Sequence, residues 1–287
     1  MQIGVGLPSV IPGVQGKDVL AWARKADAGP FSSLAVIDRL VYPNYETLIT
    51  LAAAAGTTQR IRLIPSVLLA PLRNAALLAK QAASLDALSG GRLTLGLGVG
   101  GREDDFIAVE VPFHRRGKIF EEQLTTMKRI WSGQPFSDDV GPIGPAPARP
   151  GGPELLIGGY SPVAIQRVGR WGDGYISGGG GPERSNQGFR LAEESWKAAG
   201  REGKPRLVGA MYYALGPDAA ERGGAYIRHY YSFLGPMADM MAKTLPTSLE
   251  AIKGAIQGFA DIGTDELILW PCTPDLEQLD QLAQLIG

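Results

Sequence analysis

Residues 92–106 read "RLTLGLGVGGREDDF", an apolar strand pattern that runs into a glycine turn. Gly96, Gly98 and Gly101 fit the G-x-G-x-x-G pattern of a dinucleotide-binding turn. That turn belongs to the first strand of its fold, and a helix opens directly after its glycines. Here Gly96 lies inside the strand pattern, and helical periodicity resumes only near Ile119. The stretch therefore favours one strand of a longer series over a Rossmann site for NAD(P).

Seven further short apolar runs surround this stretch, and helical patterns separate most of them. They are residues 3–8, 33–38, 61–69, 154–159, 174–179, 206–215 and 266–271. Most are continuously apolar, as parallel strands covered by helices are. About eight strand–helix repeats in one chain predict an α/β fold, a (β/α)₈ TIM barrel formed by a single domain over 1–287. The Gly- and Pro-rich residues 132–153, between the fourth and fifth strands, are predicted as an irregular insertion.

Composition excludes several classes of function. The formal net charge of −1 provides no field for nucleic acid or an anionic membrane. Cys272 is the only cysteine, and His114 and His229 are the only histidines, so no metal site is predicted. The first residues lack the basic segment and apolar run of a signal peptide, and no apolar stretch is long enough to span a bilayer. We therefore expect a cytoplasmic protein that acts on a small molecule.

The segment "IGGYSP", residues 157–162, follows the fifth predicted strand and opens a helix. Ser161 is a good N-cap, and proline suits the first helical position. In a barrel, active sites form at the carboxyl ends of the strands. The amides of Gly159, Tyr160 and Ser161 are therefore candidates to bind a phosphate group. An ordinary capped helix is the alternative.

Four stretches together resemble the bacterial luciferase-like superfamily of flavin- and deazaflavin-dependent oxidoreductases. They are "PLRNAALLAKQAASLDALSGGRLTLGLGVGGREDDF", "HRRGKIFEEQLTTMKRIWSG", "PELLIGGYSPVAIQRVGRWGDGYI" and "GFADIGTDELILWP". They cover most of the chain in the order of that family. The resemblance implies a TIM barrel without a Rossmann domain, a flavin-type cofactor in the barrel mouth, and a homodimer.

The resemblance also implies which residues bind the cofactor. The third strand would carry a non-proline cis peptide bond between Ser66 and Val67, behind the cofactor ring. Asp38 would be a catalytic acid near the reactive edge of that ring, and its alternative is an ion pair with Arg39 or Arg73. The full set of implied cofactor contacts is Asp38, Ser66, Val67, Gly98, Gly100, Gly101, Gly158, Gly159, Tyr160, Ser161, Gly178 and Gly179.

The substrate side is predicted from residues at the same end of the barrel. Arg39, Tyr42 and Trp270 are the substrate candidates, and His229 is the candidate proton donor. His229 lies in "AYIRHYYSFLGPMADMM", residues 225–241, which is predicted as a lid over the pocket, with a dimer face or plain core as alternatives. Two residues are predicted to have no chemical role: His114 is structural and Cys272 is buried and inert.

Two departures from the family pattern concern the cofactor. Val99 stands where several flavin monooxygenases carry a basic residue, and Arg39 stands where many deazaflavin members carry histidine. The Ser66–Val67 pair and the Gly158–Gly159 turn look more like the deazaflavin members. The sequence is therefore interpreted as an oxidoreductase that transfers a hydride between coenzyme F-420 and a small organic substrate. An FMN-dependent luciferase-like monooxygenase and a non-catalytic flavin-binding barrel are the alternatives.

Overall fold

The computed structural model describes residues 1–287 and contains nine parallel strands. The strands are β1 (Gln2–Gly6), β2 (Ser33–Val36), β3 (Arg62–Pro65), β4 (Leu68–Leu69), β5 (Thr94–Gly98), β6 (Glu154–Gly158), β7 (Gly174–Ile176), β8 (Arg206–Tyr213) and β9 (Glu266–Pro271). Their order in the sheet is β3-β2-β1-β9-β8-β7-β6-β5-β4. A bridge between Leu63 of β3 and Leu93, directly before β5, connects β3 back to the other side of the sheet beside the short β4, so the sheet is a nearly closed barrel. The predicted TIM barrel is confirmed.

Twelve helices accompany the strands. They are α1 (Gly16–Ala28), α2 (Thr47–Thr57), α3 (Ala75–Leu88), α4 (Glu103–Ala108), α5 (Arg116–Trp131), α6 (Pro162–Ile165), α7 (Arg167–Trp171), α8 (Gly181–Ala198), α9 (Ala219–Tyr230), α10 (Pro236–Lys243), α11 (Leu249–Asp261) and α12 (Glu277–Ile286). None of them is long and apolar enough to cross a membrane. Their apolar faces pack on the outside of the strands, as in α1, where Val19, Trp22, Ala23 and Ala26 are buried.

Two sequence-based expectations about this architecture need correction. The run predicted as one strand over 61–69 is two strands, because a cis peptide bond between Ser66 and Val67 separates β3 from β4. A helix also opens sooner after the glycines of β5 than expected, since α4 covers Glu103–Ala108. Six residues are too few to show helical periodicity. The insertion 132–153 contains neither helix nor strand, apart from a bridge between Pro135 and Pro142.

The interior of the barrel is filled by side chains, as is usual for this fold. An apolar cluster separate from the helix-facing core contains Ala35, Ile64, Leu156, Ile176, Val208, Ala210, Ile268 and Trp270. Val67 and Tyr212 pack against this cluster from the carboxyl end of the strands. The floor of the barrel mouth is therefore solid and apolar, and any ligand must lie above it.

Candidate functional site

Val67 follows the cis peptide bond directly and packs on the apolar cluster inside the barrel. A Cβ atom at Gly98 would lie 2.7 Å from Val67 Cγ2, and a Cβ atom at Gly158 would lie 2.7 Å from Val67 Cγ1. The missing side chains of these two glycines therefore make room for Val67 rather than for a ligand. The cofactor contact expected at Gly98 stays a prediction, and the packing of Val67 is a separate reason for glycine at this position.

The glycine turn after β5 has two different functions. Gly100 has φ +79°, a left-handed conformation that glycine adopts without steric cost, and a Cβ atom there would touch Phe106 and Leu69. Gly101 has no neighbour within 4 Å of its Cβ position and is exposed. Gly100 shapes the turn, and Gly101 leaves its surface open beside the mouth.

The ends of β6 and β7 form a cradle of free backbone amides. The amides of Tyr160 and Ser161 after β6, and of Gly179 and Gly180 after β7, donate no hydrogen bond within the protein. Ser161 Oγ accepts from the amide of Ala164 at 3.2 Å, which confirms the predicted N-cap. The Tyr160 side chain spans the cradle, because its hydroxyl lies against Gly178.

Arg184, which the sequence analysis missed, completes this cradle. It lies in the first turn of α8, and its guanidinium carbon is 4.2 Å from the centre of the Tyr160 ring. It forms neither an ion pair nor a hydrogen bond with the protein. The Tyr160 ring is partly exposed, but desolvation of its hydroxyl against Gly178 raises the pKa of Tyr160 while Arg184 opposes the shift, so the hydroxyl remains a donor. Free amides, a phenol and an unpaired guanidinium are the groups that bind phosphate.

Asp38 is buried and fully hydrogen-bonded. Its carboxylate accepts from Thr47 Oγ1 at 2.9 Å, from the Leu69 amide at 2.8 Å, and from two Arg73 nitrogens at 2.7 and 3.0 Å. Burial alone would lower the pKa of Arg73, but the Asp38 and Glu46 carboxylates raise it above its usual value. The ion pair with Arg73 is the role that this geometry supports, because no carboxylate lone pair is left for a substrate.

Arg39 is held in a similar way by α4, the short helix after the glycine turn. Its Nε donates to the fully buried Asp105 at 2.8 Å, and its Nη2 contacts Asp104 at 3.2 Å. The Asp105 carboxylate also accepts from the amide of Val41 at 2.7 Å, which fixes the loop after β2. Arg39 Nη1 is buried and has no partner. Arg39 therefore ties the loop after β2 to α4, and one of its donors is unused.

Tyr42 and His229 form a polar pair at the edge of the mouth. The Tyr42 hydroxyl lies 3.0 Å from His229 Nδ1, and the imidazole is exposed. Burial raises the pKa of Tyr42, against the effect of Arg39 and Arg102, so its hydroxyl stays protonated. The structure thus places the predicted substrate residue Tyr42 in contact with the predicted proton donor.

An aromatic cluster lies around this pair, and most of it comes from the predicted lid. We define it as Tyr42, Tyr212, Tyr226, Tyr230, Tyr231 and Phe233, whose rings lie 4.9–6.2 Å from their neighbours in the cluster. The hydroxyls of Tyr212 and Tyr231 are 3.0 Å apart. Arg102, directly after the glycine turn, donates to the Tyr230 carbonyl at 2.7 Å and lies 3.5 Å from the Phe233 ring centre. Arg102 therefore links the glycine turn to the cluster.

The remaining predicted residues lie outside the open mouth. Trp270 is 4% exposed and packs over Gly6 inside the barrel, so it supports the floor and does not line an open pocket. Cys272 is buried, and burial raises the pKa of its thiol, as expected for an unreactive cysteine. His114 is exposed and lies in the segment between α4 and α5.

Comparison with known proteins identifies the family of the chain. The family model described as luciferase-like monooxygenase matches residues 1–285. An uncharacterized protein of Mycobacterium tuberculosis is 32% identical over 210 residues, which cover 62% of this chain and 72% of the relative. An FMNH(2)-dependent dimethylsulfone monooxygenase of Pseudomonas putida is 26% identical over 222 residues, or 73% of this chain and 56% of that protein.

A solved structure shows the same fold. An F420-dependent secondary alcohol dehydrogenase in complex with an F420-acetone adduct superposes with a TM-score of 0.83 at 19% identity, covering 99% of this chain and 98% of that one. The resemblance read from the sequence is confirmed by the family match along nearly the whole chain. The chain belongs to the luciferase-like monooxygenase family, whose members are oxidoreductases.

Proposed function

We propose that this enzyme binds a flavin-type cofactor in the mouth of its barrel and oxidises or reduces a small organic molecule. Coenzyme F-420 is the preferred cofactor and FMN the alternative. The cradle at the ends of β6 and β7 carries this proposal, because its free amides and the unpaired Arg184 fit the phosphate that both cofactors carry. When bound, F-420 would supply hydride transfer, and FMN would supply oxygen-dependent chemistry.

The cofactor ring would rest on Val67 and Ser66, above the apolar floor. Gly101 leaves open space on one side, and Tyr212 lies against Gly179 on the other, with ring atoms 3.5 Å from the Gly179 Cβ position. These residues orient a flat ring and exclude water beneath it. The preference for F-420 comes from the Ser66–Val67 pair and the Gly158–Gly159 turn, which resemble those of the deazaflavin members.

The Tyr42–His229 pair is proposed to handle the proton that accompanies hydride transfer. A substrate hydroxyl that loses a hydride from its carbon must also lose its proton. His229 Nδ1 can hold a proton in its hydrogen bond with the Tyr42 hydroxyl, and the exposed ring exchanges protons with solvent. Asp38 and Arg73 are then positioning residues that hold β4 and the loop after β2.

Titration of the purified protein with F-420, FMN and NADPH, followed by fluorescence, tests this proposal. We expect F-420 to bind most tightly. The Arg184→Ala variant is expected to weaken binding about tenfold, since about 1.4 kcal/mol corresponds to one charged hydrogen bond. Arg190→Ala is the matched control, because Arg190 is an exposed arginine of the same helix that pairs with Glu193. Binding of FMN alone would favour the monooxygenase, and binding of NADPH alone would overturn the proposal.

A further inference from the structure

A second feature of the carboxyl end is a cavity of about 400 Å³ beside the aromatic cluster. Ile11 and Pro12, after β1, form one wall, and Cys272 and Pro274, after β9, form another. Helix α9 covers the remaining side. The volume is at the lower end of the roughly 300–1,000 Å³ of small-molecule sites.

One face of α9 is turned toward this cavity. Arg222, Ala225, Tyr226 and His229 follow the i, i+3, i+4, i+7 spacing of a single helical face, and all four line the cavity. His229 is also the residue that contacts Tyr42. Because its Nδ1 is used in that contact, its Nε2 is the nitrogen left for a ligand. The cavity therefore adjoins the proposed proton-handling pair through one imidazole ring.

The polar groups of the cavity favour a neutral ligand. Arg222, its only permanent cation, is paired with Asp275 at 2.9 Å. Burial raises the pKa values of the Cys272 thiol and the Tyr226 hydroxyl, so both are uncharged. The Tyr226 side chain is 5% exposed, and its hydroxyl has no hydrogen-bond partner. A charged ligand would find no unpaired opposite charge here, whereas an oxygen atom would find the exposed His229 ring.

We infer that this cavity binds the organic substrate, and that the substrate is a neutral, largely apolar molecule with a hydroxyl or carbonyl oxygen. Such a molecule would place its carbon skeleton against Ile11, Ala225 and Pro274, with its oxygen toward His229. This inference rests on the proposed function, because it takes the Tyr42–His229 pair as part of the active site.

Three six-membered-ring probes that differ only in their head group test the inference: cyclohexanol, cyclohexanecarboxylate and cyclohexylammonium. Saturation-transfer NMR titrations measure the affinity of each for the full chain. We expect cyclohexanol to bind at least tenfold more tightly than either charged probe. The Ala225→Trp variant fills the cavity and is expected to weaken cyclohexanol binding at least tenfold. Ala220→Trp is the matched control, because Ala220 is an exposed alanine of α9 outside the cavity.

Several outcomes would overturn the inference: absence of cyclohexanol binding, equal binding to the Ala225→Trp variant, or preference for a charged probe. Titration of both tryptophan variants with F-420 and FMN separates this result from the proposed function. Cofactor binding should be unchanged in both. If no cofactor binds any form of the protein while cyclohexanol binding still depends on Ala225, the proposed function fails and the cavity stands as a site for neutral ligands.

Discussion

The two ends of the barrel carry cavities of nearly the same volume but opposite chemistry. The cavity at the amino end is about 410 Å³, and the cavity at the carboxyl end is about 400 Å³. The three arginines that line the amino-end cavity are all paired: Arg62 and Arg206 with Glu154, and Arg149 with Asp173. At the carboxyl end Arg222 is also paired, with Asp275, but the amides of the cradle, Arg184 and the Tyr226 hydroxyl have no partner within the protein. The carboxyl end therefore differs from the amino end in its unused hydrogen-bonding groups, and not in the volume of its cavity.

An ion-pair network explains why the amino-end cavity offers no free hydrogen-bonding group. Arg206 lies between Glu154 and the fully buried Glu266, and it forms ion pairs with both. Ser33 Oγ donates to Glu266 at 2.6 Å, and Thr94 Oγ1 donates to Glu154 at 2.7 Å. These side chains come from five different strands or their flanking residues, so the network ties the base of the barrel together. Such groups have no capacity left for a ligand.

The largest expected effect comes from breaking this network. Arg206→Met keeps the apolar stem but leaves two carboxylates without their shared cation. We expect a loss of about 3–5 kcal/mol in the free energy of unfolding, measured by urea denaturation. Cofactor affinity of the folded protein should be unchanged, because the cofactor site is at the other end. A variant as stable as the wild type would contradict the structural role of the amino end.

A smaller loss is expected from Asp38→Asn at the carboxyl end. The substitution removes the charge that Arg73 pairs with, although Glu46 still contacts Arg73 at 2.9 Å. The free energy of unfolding should fall by roughly 2–3 kcal/mol, the contribution of hydrogen bonds to a charged group. Asp239→Asn, at an exposed aspartate without an ion pair, is the control. Unchanged stability together with lost turnover would restore Asp38 as a catalytic acid.

Gly98→Ala tests the floor of the mouth. The new methyl group would displace Val67, and Val67 would then rise into the space proposed for the cofactor ring. We expect cofactor affinity to fall at least tenfold, or about 1.4 kcal/mol. Gly254→Ala is the control, since Gly254 lies in α11 with nothing within 4 Å of its Cβ position. That substitution should leave affinity unchanged and stabilise the helix by about 1 kcal/mol.

Sequence patterns predicted the barrel well because its strands are continuous apolar runs. The break in the third strand followed only from the family resemblance, since periodicity carries no information about the Ser66–Val67 bond. The N-cap at Ser161 was predictable because capping is local. Arg184 and the Arg39–Asp105 ion pair were not, because both depend on contacts between residues far apart in the chain. The ion pair of Asp38 with Arg73 was one of two alternatives that the sequence left open.

The smallest expected effect is a pH dependence of stability that is caused by Glu154 at the amino end. Burial opposes the charge of Glu154, but Arg206, Thr94 and Arg62 together hold its pKa below the usual value. A carboxylate with a lowered folded-state pKa stabilises the protein above the unfolded-state pKa, near 4.5. That contribution is lost as the pH falls through the folded-state value.

Glu154→Gln therefore removes a stabilising contribution that is complete at pH 7 and disappears under acid. Urea midpoints of wild type and variant, measured from pH 7 to pH 3, should differ most at pH 7 and move closer together as the pH falls below 4.5. Glu194→Gln is the matched control, because Glu194 is an exposed glutamate of α8 without an ion pair, and its curve should follow that of the wild type. Cofactor affinity should not change with Glu154→Gln at pH 7. If the difference in urea midpoint between Glu154→Gln and the wild type stayed constant from pH 7 to pH 3, the charge of Glu154 would not contribute to stability. The ionic contribution of the amino end would then come from Glu266 alone.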